Sequence, residues 1–348
     1  MPPFQGLKIM PINHYNYSPR WGCYDCEPEK MFVMKRLIFF SISMLVITSC
    51  VPVPNAAALL DATSTVIALP EATVTSIPAS PTLAPTKIPC DPLAVDYCIT
   101  DGHFILQRPI QPPNNDSVDV TYRYASTENG TREPHHGVEF LNKFGTPVQA
   151  AANGVVVFAG PDAEAVYSPW VNFYGNLIVL KHDNDLYTLY AHLSKIDVQV
   201  GDAVLVGQKI GEVGQSGVAT GSHLHFEVRR GDVKDYFATQ NPELWLVPQR
   251  GERNLLNGTL MISVVDGLGQ PLFAELTIAR YLGSSVKPEK TFYLDTYVDE
   301  MATGYENAAM SGLQFGRYRI ALKLNGQLYE RWVEVQSGKL TQTVIVVK

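Results

Sequence analysis

From about Ile99 to Val247 the chain runs in short stretches of alternating apolar and polar residues, broken by Gly, Asn, Asp and Pro, with hardly any 3.6-residue periodicity. Val155 to Phe158, Asn176 to His182, Leu186 to Leu193 and His223 to Val228 read as strands, and Asp183-Asn184-Asp185 supplies a hairpin turn between the second and third. After Arg250 the texture changes. Leu260 to Val265, Ala274 to Ala279, Tyr318 to Leu324, Tyr329 to Val335 and Thr341 to Val347 alternate around the turns Asp266-Gly267 and Asn325-Gly326. That spacing predicts a separate small β-sandwich. The pattern as a whole predicts a mainly β protein, with antiparallel sheet over residues 90–249 and the sandwich over residues 250–348.

The first 89 residues follow other patterns. Met34 opens a short signal over residues 34–50: Lys35-Arg36, an apolar run from Leu37 to Ile47, then small residues. The run is shorter than the roughly 20 apolar residues a spanning helix needs, and Pro52 and Pro54 follow it. Its ending, Ile47-Thr48-Ser49-Cys50, resembles the lipobox of bacterial lipoproteins. That implies a lipid anchor at Cys50, a membrane partner and an extracytoplasmic place in the cell envelope; an ordinary secretory signal with an incidental cysteine is the other reading. Residues 1–33 precede this complete signal and are expected to be an untranslated or unstructured extension, and their Cys23-x-x-Cys26 pair lacks the partners that zinc or redox chemistry needs. Pro, Thr, Ala and Ser dominate residues 51–89, charges are few and aromatics absent, which predicts a disordered tether. Cys90 and Cys98 flank the start of ordered sequence; an exported protein would join them in a small-loop disulfide, the alternative being two free thiols.

Composition narrows the function classes. The chain of 348 residues has a formal charge of −7 and a pI near 5.6, so it carries no electrostatic footprint for nucleic acid. Five cysteines are too few for a disulfide-dense scaffold, so a hydrophobic core must carry the stability.

Six of the eight histidines lie between His135 and His225. In a strand, residues two apart share a face, so His223 and His225 project together while Leu224, Phe226 and Val228 pack on the other side. His135 stands four residues before Glu139. His192 closes the predicted strand Leu186 to Leu193 and reaches the same groove if the strands are neighbours. A catalytic zinc takes three protein ligands and leaves the fourth place for water, whose pKa it lowers to about 7. Two histidines and a glutamate meet that demand, and further histidines can handle protons. An isolated strand histidine is usually a hydrogen-bonded structural residue, the role expected for His182.

The same residues resemble a known family. His135-His136-Gly137-Val138-Glu139-Phe140, Gly145-Thr146-Pro147-Val148, Asn153-Gly154-Val155-Val156, Tyr174-Gly175-Asn176, Tyr190-Ala191-His192-Leu193, Val200-Gly201-Asp202 and Gly221-Ser222-His223-Leu224-His225-Phe226-Glu227 are similar to the lysostaphin-like zinc endopeptidases, in their order and spacing, over roughly residues 132 to 232. The resemblance implies an antiparallel β fold of barrel-sandwich hybrid type, one Zn2+, and hydrolysis of stem or cross-bridge peptides of bacterial peptidoglycan. Carried over by position, the metal ligands fall on His135, Glu139 and His225, the non-ligand catalytic histidines on His192 and His223, and His136 on a variable position. The family's second ligand is aspartate, so Glu139 is a departure that adds a methylene. Val198 to Gly214 also resembles turns of biotinyl and lipoyl carrier domains, and it argues for hairpin architecture alone.

The C-terminal part resembles, loosely, transthyretin-like or carboxypeptidase-regulatory-like sandwiches. Phe292, Tyr293, Tyr297, Tyr305 and Trp332 offer it either a carbohydrate-binding surface or core. The functional expectation is a cell-wall metalloendopeptidase. Its alternative is a non-catalytic wall-binding or hydrolase-activating protein on the same fold, and a third reading makes the metal a structural clamp, which would want four ligands.

Overall fold

The computed structural model describes residues 90–128, 130–302 and 306–348. The signal, Cys50, the tether, the Cys23/Cys26 pair and Tyr305 lie outside the described residues. Regular structure within them is strand, interrupted only by single 3-10 turns. The first eleven strands are β1 (Cys98–Thr100), β2 (Val138–Leu141), β3 (Pro147–Gln149), β4 (Gly154–Pro161), β5 (Asn176–Lys181), β6 (Leu186–Ala191), β7 (Leu193–Ile196), β8 (Ala203–Val204), β9 (Lys209–Val213), β10 (His223–Arg230) and β11 (Thr239–Gln240). Then follow β12 (Gly258–Val265), β13 (Glu275–Tyr281), β14 (Lys290–Asp295), β15 (Ala308–Leu313), β16 (Gly316–Leu324), β17 (Gln327–Val335) and β18 (Leu340–Val346).

A seven-stranded antiparallel sheet runs β11-β10-β6-β5-β4-β8, and β2 adds to β10 along part of its length. A three-stranded sheet, β3-β9-β7, lies beside it. The alternation explains the layering. Leu224, Phe226 and Val228 of β10 and Val138 and Phe140 of β2 point into one hydrophobic cluster with Leu106, Val148, Tyr190 and Ile210. The opposite face of the same sheet gives a smaller cluster of Tyr174, Leu177, Val179, Leu189 and Ala191, on the side that His225 and Glu227 share. Burial at roughly 25 cal/mol per Å² of apolar surface makes the first cluster the main source of stability here.

The expected single strand Leu186 to Leu193 is two strands. His192 has φ of 61°, a left-handed backbone that ends β6 at Ala191 and starts β7 at Leu193. The hairpin before it is as the turn residues predict, with Asn184 at φ 58° inside the turn.

Toward the C-terminus, two four-stranded sheets, β1-β18-β12-β15 and β14-β13-β16-β17, face one shared core of Leu260, Ile262, Leu276, Ile278, Tyr318, Ile320, Val333 and Ile345. Two features have no signature in the alternation. Strand β1 pairs with the last strand, Cys98 opposite Gln342, and β12 runs parallel to β18 while its other partner is antiparallel. Cys90 and Cys98 form a disulfide, Cα to Cα 5.8 Å, that closes the segment leading into β1. Tyr297 and Met301, from the connection between β14 and β15, pack into the cluster under β2 and β10, so this connection shares core with the histidine-bearing sheet. Tyr297 is thus core, 6% exposed, and Phe292 packs against the C-terminal core, whereas Tyr293 is 78% exposed.

Candidate metal centre and catalytic groove

Strand pairing brings the chemistry together. In the β2–β10 register Glu139 stands directly opposite His225, and directly opposite residues in a ladder share a face. His135 lies just before β2, tied by backbone hydrogen bonds from its own N–H to Ser126 and from Ala125 N–H to its carbonyl. Gly137 lets this happen: a β-carbon there would sit 2.5 Å from the carbonyl oxygen of Phe226 and 2.9 Å from the His225 ring. The result is that His135, Glu139 and His225 present ligand atoms all within 4.8 Å of one another, each side chain buried. His135 Nε2 is 2.9 Å from Glu139 Oε1 and 3.1 Å from His225 Nδ1, which in turn is 3.0 Å from Glu139 Oε1.

The other ring nitrogens are engaged elsewhere. His135 Nδ1 donates to the Arg123 carbonyl at 3.2 Å, His192 Nδ1 to Ser216 at 2.8 Å, His223 Nδ1 to Gly221 at 2.9 Å, and His225 Nε2 to Glu227 Oε1 at 3.0 Å. Each anchor fixes the tautomer and leaves the remaining nitrogen with its lone pair free. The rings of His192 and His223 are 4.8 Å apart, and those of His192 and His225 5.7 Å. Four imidazoles and a carboxylate thus line one space with acceptor atoms.

Five acceptors facing one another repel unless a cation or protons sit among them. Glu139 Oε2 is buried without a hydrogen bond, His223 Nε2 approaching it to 3.2 Å only as an ion-pair contact. Protons can take up the role as well. Burial opposes a charge on His225, but Glu139 and Glu227 on its two sides outweigh it and push it up to about 10. Burial likewise opposes charge on Glu139, yet His225 and His135 hold its carboxyl well below the usual range. Burial, then the neighbouring His225 and His223, press His192 down to about 3. The donor set of two imidazoles and one carboxylate, with an open side, fits a zinc ion of the catalytic kind. Two carboxyl oxygens and two bare nitrogens would be satisfied by one such ion.

Behind His225 lies a buried network. Glu227 Oε1 accepts from His225 and, at 2.6 Å, from the Tyr174 hydroxyl, while Arg229 Nε donates to Oε2 at 2.8 Å. Arg229 continues to the Tyr167 carbonyl and the Tyr174 hydroxyl. Burial would raise Glu227, but Arg229 and His225 hold it at about 2, so it stays a carboxylate. His223, His225, Glu227 and Arg229 fall on one face by the same two-residue period, so the alternation that singled out the histidines extends to this pair as well. Tyr122, which stacks on His135 at 4.0 Å, carries no such signal.

The centre opens into a groove of about 610 Å³ between Tyr122, Arg132 and Glu133 on one wall and Trp170, Phe173 and Tyr236 on the other. Asp119, Thr121, Glu128 and Pro134 also line it from the stretch that carries the first wall. His136 lines the groove but stacks on Tyr236 at 3.7 Å and sends no atom to the cluster. His182 is apart, its Nδ1 donating to Asn153 and its Nε2 2.8 Å from the Thr188 hydroxyl, a structural arrangement.

Residues 133–236 match the model of Peptidase family M23. That stretch is an M23 peptidase domain. Over 118 residues the chain is 42% identical to a protein named peptidoglycan DD-endopeptidase ShyA, of Vibrio cholerae serotype O1, covering 34% of this chain and 25% of that one. Over 95 residues it is 40% identical to the glycyl-glycine endopeptidase ALE-1 of Staphylococcus capitis, covering 27% of this chain and 24% of the relative. The crystallised catalytic domain of lysostaphin from Staphylococcus simulans is 36% identical, with a TM-score of 0.29, over 34% of this chain and 83% of that domain. The chain spans about a quarter of the length of the curated relatives it matches. The M23 domain contains His135, Glu139, His192, His223 and His225.

Proposed function

We propose that this chain is a zinc-dependent endopeptidase that hydrolyses peptide bonds in the stem or cross-bridge peptides of bacterial peptidoglycan. The observation that carries the reading is the convergence of one carboxylate and four histidines whose other nitrogens are all anchored to protein. The M23 domain and the endopeptidase names of its relatives supply the substrate class. His135 Nε2, Glu139 and His225 Nδ1 would hold the zinc ion, which when bound supplies Lewis acidity toward a scissile carbonyl and toward water.

The chain's own residues do the rest. His192, neutral and aimed by the Ser216 carbonyl, presents a bare Nε2 that accepts a proton as water attacks and returns it to the leaving amine. His223, held by Gly221 with its ring 4.8 Å from that of His192, shares this work and, once protonated by the attacking water, donates to the developing oxyanion. Glu227 keeps the His225 ring in the tautomer that frees Nδ1. The groove walls, rich in aromatic side chains and backed by Arg132, hold an extended peptide across the opening.

The export-type start and a lipid anchor at Cys50 would place the enzyme in the cell envelope, where the wall is. A Cys90–Cys98 disulfide suits that oxidising location. A purely wall-binding role gains nothing from four pre-oriented imidazoles. The test is metal content together with muropeptide release from purified peptidoglycan, with His223→Ala as control. One zinc per chain and cleavage lost in the variant support the enzyme. Wall binding with neither zinc nor cleavage sinks it.

A further inference from the structure

We infer that the C-terminal sheets position the first metal ligand through a buried relay, Ser311 to Glu243 to Arg123 to His135; the inference rests on reading His135 as that ligand. His135 is the only one of the three ligand residues outside a strand of the described structure, and its Nδ1 is held by the Arg123 carbonyl while Tyr122 stacks on the ring. The described residues between 119 and 134, which include Arg123, contain no strand either. Besides backbone hydrogen bonds to Glu139 and His135, the Arg123 side chain ties them to the rest of the fold. Its guanidinium, 7% exposed, places Nη1 2.5 Å from both carboxyl oxygens of Glu243, which is wholly buried in the turn Pro242–Leu244.

Glu243 is held in turn from the C-terminal side. Its Oε2 accepts from the backbone N–H of Ser311 at 2.7 Å and from the Ser311 hydroxyl at 2.6 Å, and Ser311 belongs to β15. Tyr124, the next residue to Arg123, meets Tyr297 edge to face at 5.4 Å and bonds Thr239. A carboxylate removed from water keeps its charge only with donors fixed around it, and here the donors come from two different parts of the chain. The pairing therefore does more than stabilise. Moving β15 moves Glu243, and with it the Arg123 backbone against which the imidazole of His135 is set. Such outer partners of metal-bound histidines commonly alter metal affinity 10- to 100-fold when removed. The groups Ser311, Glu243 and Arg123 are positioning residues, since none touches the groove's chemistry.

The test uses the full chain and its Glu243→Gln and Ser311→Ala variants, with Thr343→Ala as a control. Thr343 lies in β18, in the same sheet as Ser311, and bonds the Asp96 carbonyl away from the relay. Zinc affinity is measured by competition with a chromophoric chelator, and the geometry of the site by the visible spectrum of the cobalt-substituted protein, each below the melting temperature of that variant. Glu243→Gln is expected to weaken zinc binding about tenfold and to alter the cobalt spectrum. Ser311→Ala, which keeps the backbone donor and so folds more readily, should shift both in the same direction by less. Thr343→Ala should lower the melting temperature and leave both unchanged. Variants that melt earlier but bind zinc with wild-type affinity and an unchanged spectrum overturn the relay alone. A wild-type chain that binds no zinc overturns the reading of the site, and the relay with it.

Discussion

At the scale of single residues, the centre is a problem in where protons and lone pairs sit. Glu139 is the one carboxylate that contacts both ligand histidines, on the ring nitrogens that face the cluster, so its removal should act on metal and not merely on rate. Glu139→Ala is expected to abolish stoichiometric zinc binding, measured by metal analysis after gel filtration. His192→Ala should retain zinc and lose at least 100-fold in peptide hydrolysis, the usual range for losing a positioned acid–base group. Glu227 is a different case, because Arg229 is fully buried against it. Glu227→Gln leaves that guanidinium without its counter-charge, and a destabilisation of about 3 kcal/mol in denaturant unfolding is expected. The Glu-for-Asp departure also becomes intelligible at this scale: Glu139 reaches within 3.0 Å of both histidines from a position directly opposite His225.

At the scale of elements, two backbone details set the geometry. The first is the close approach of β2 to β10 at Gly137, where an added β-carbon would meet the Phe226 carbonyl and the His225 ring. Neither is the movable end of a long side chain. Gly137→Ala should therefore force the strands apart, at a cost of about 3 kcal/mol in chemical denaturation and with weakened zinc binding. The second is the left-handed residue at His192. Read by simple alternation, His192 would follow Thr188 and Tyr190, which face the main core; the break at φ 61° delivers it instead to the face of Ala191 and His225. A strained conformation of this kind is relieved by glycine. His192→Gly should be more stable than His192→Ala by about 1 kcal/mol, a difference to be read from paired melts.

At the scale of the whole molecule, the contact between the C-terminal sheets and the M23 domain carries a titrating group. Burial raises Glu306 from the ordinary glutamate value to about 7, partly offset by hydrogen bonds from its own backbone and Tyr297. A carboxyl that is harder to ionise when folded favours the folded state while protonated, below about pH 4.5. That contribution is lost as pH rises through 7. Stability should fall over this window by about 3 kcal/mol, and Glu306→Gln should flatten the fall, as followed by thermal melts at a series of pH values.

Much of this protein was legible along the chain, since strand alternation and turn residues are local properties. The two-residue period put His223 and His225 on one face, and the hairpin at Asp183 to Asp185 forms where its turn residues stand. The spacing of His135, Glu139 and the paired histidines carried the resemblance that the M23 match later supported. What the period could not supply is register and partner. Glu139 opposite His225, β1 on the C-terminal strand, the parallel run of β12 with β18, and Arg123 on a glutamate 120 residues away depend on which strands meet. Those meetings are decided by burial summed over the whole chain, and a charge becomes a buried, donor-hungry group only after the fold has removed it from water.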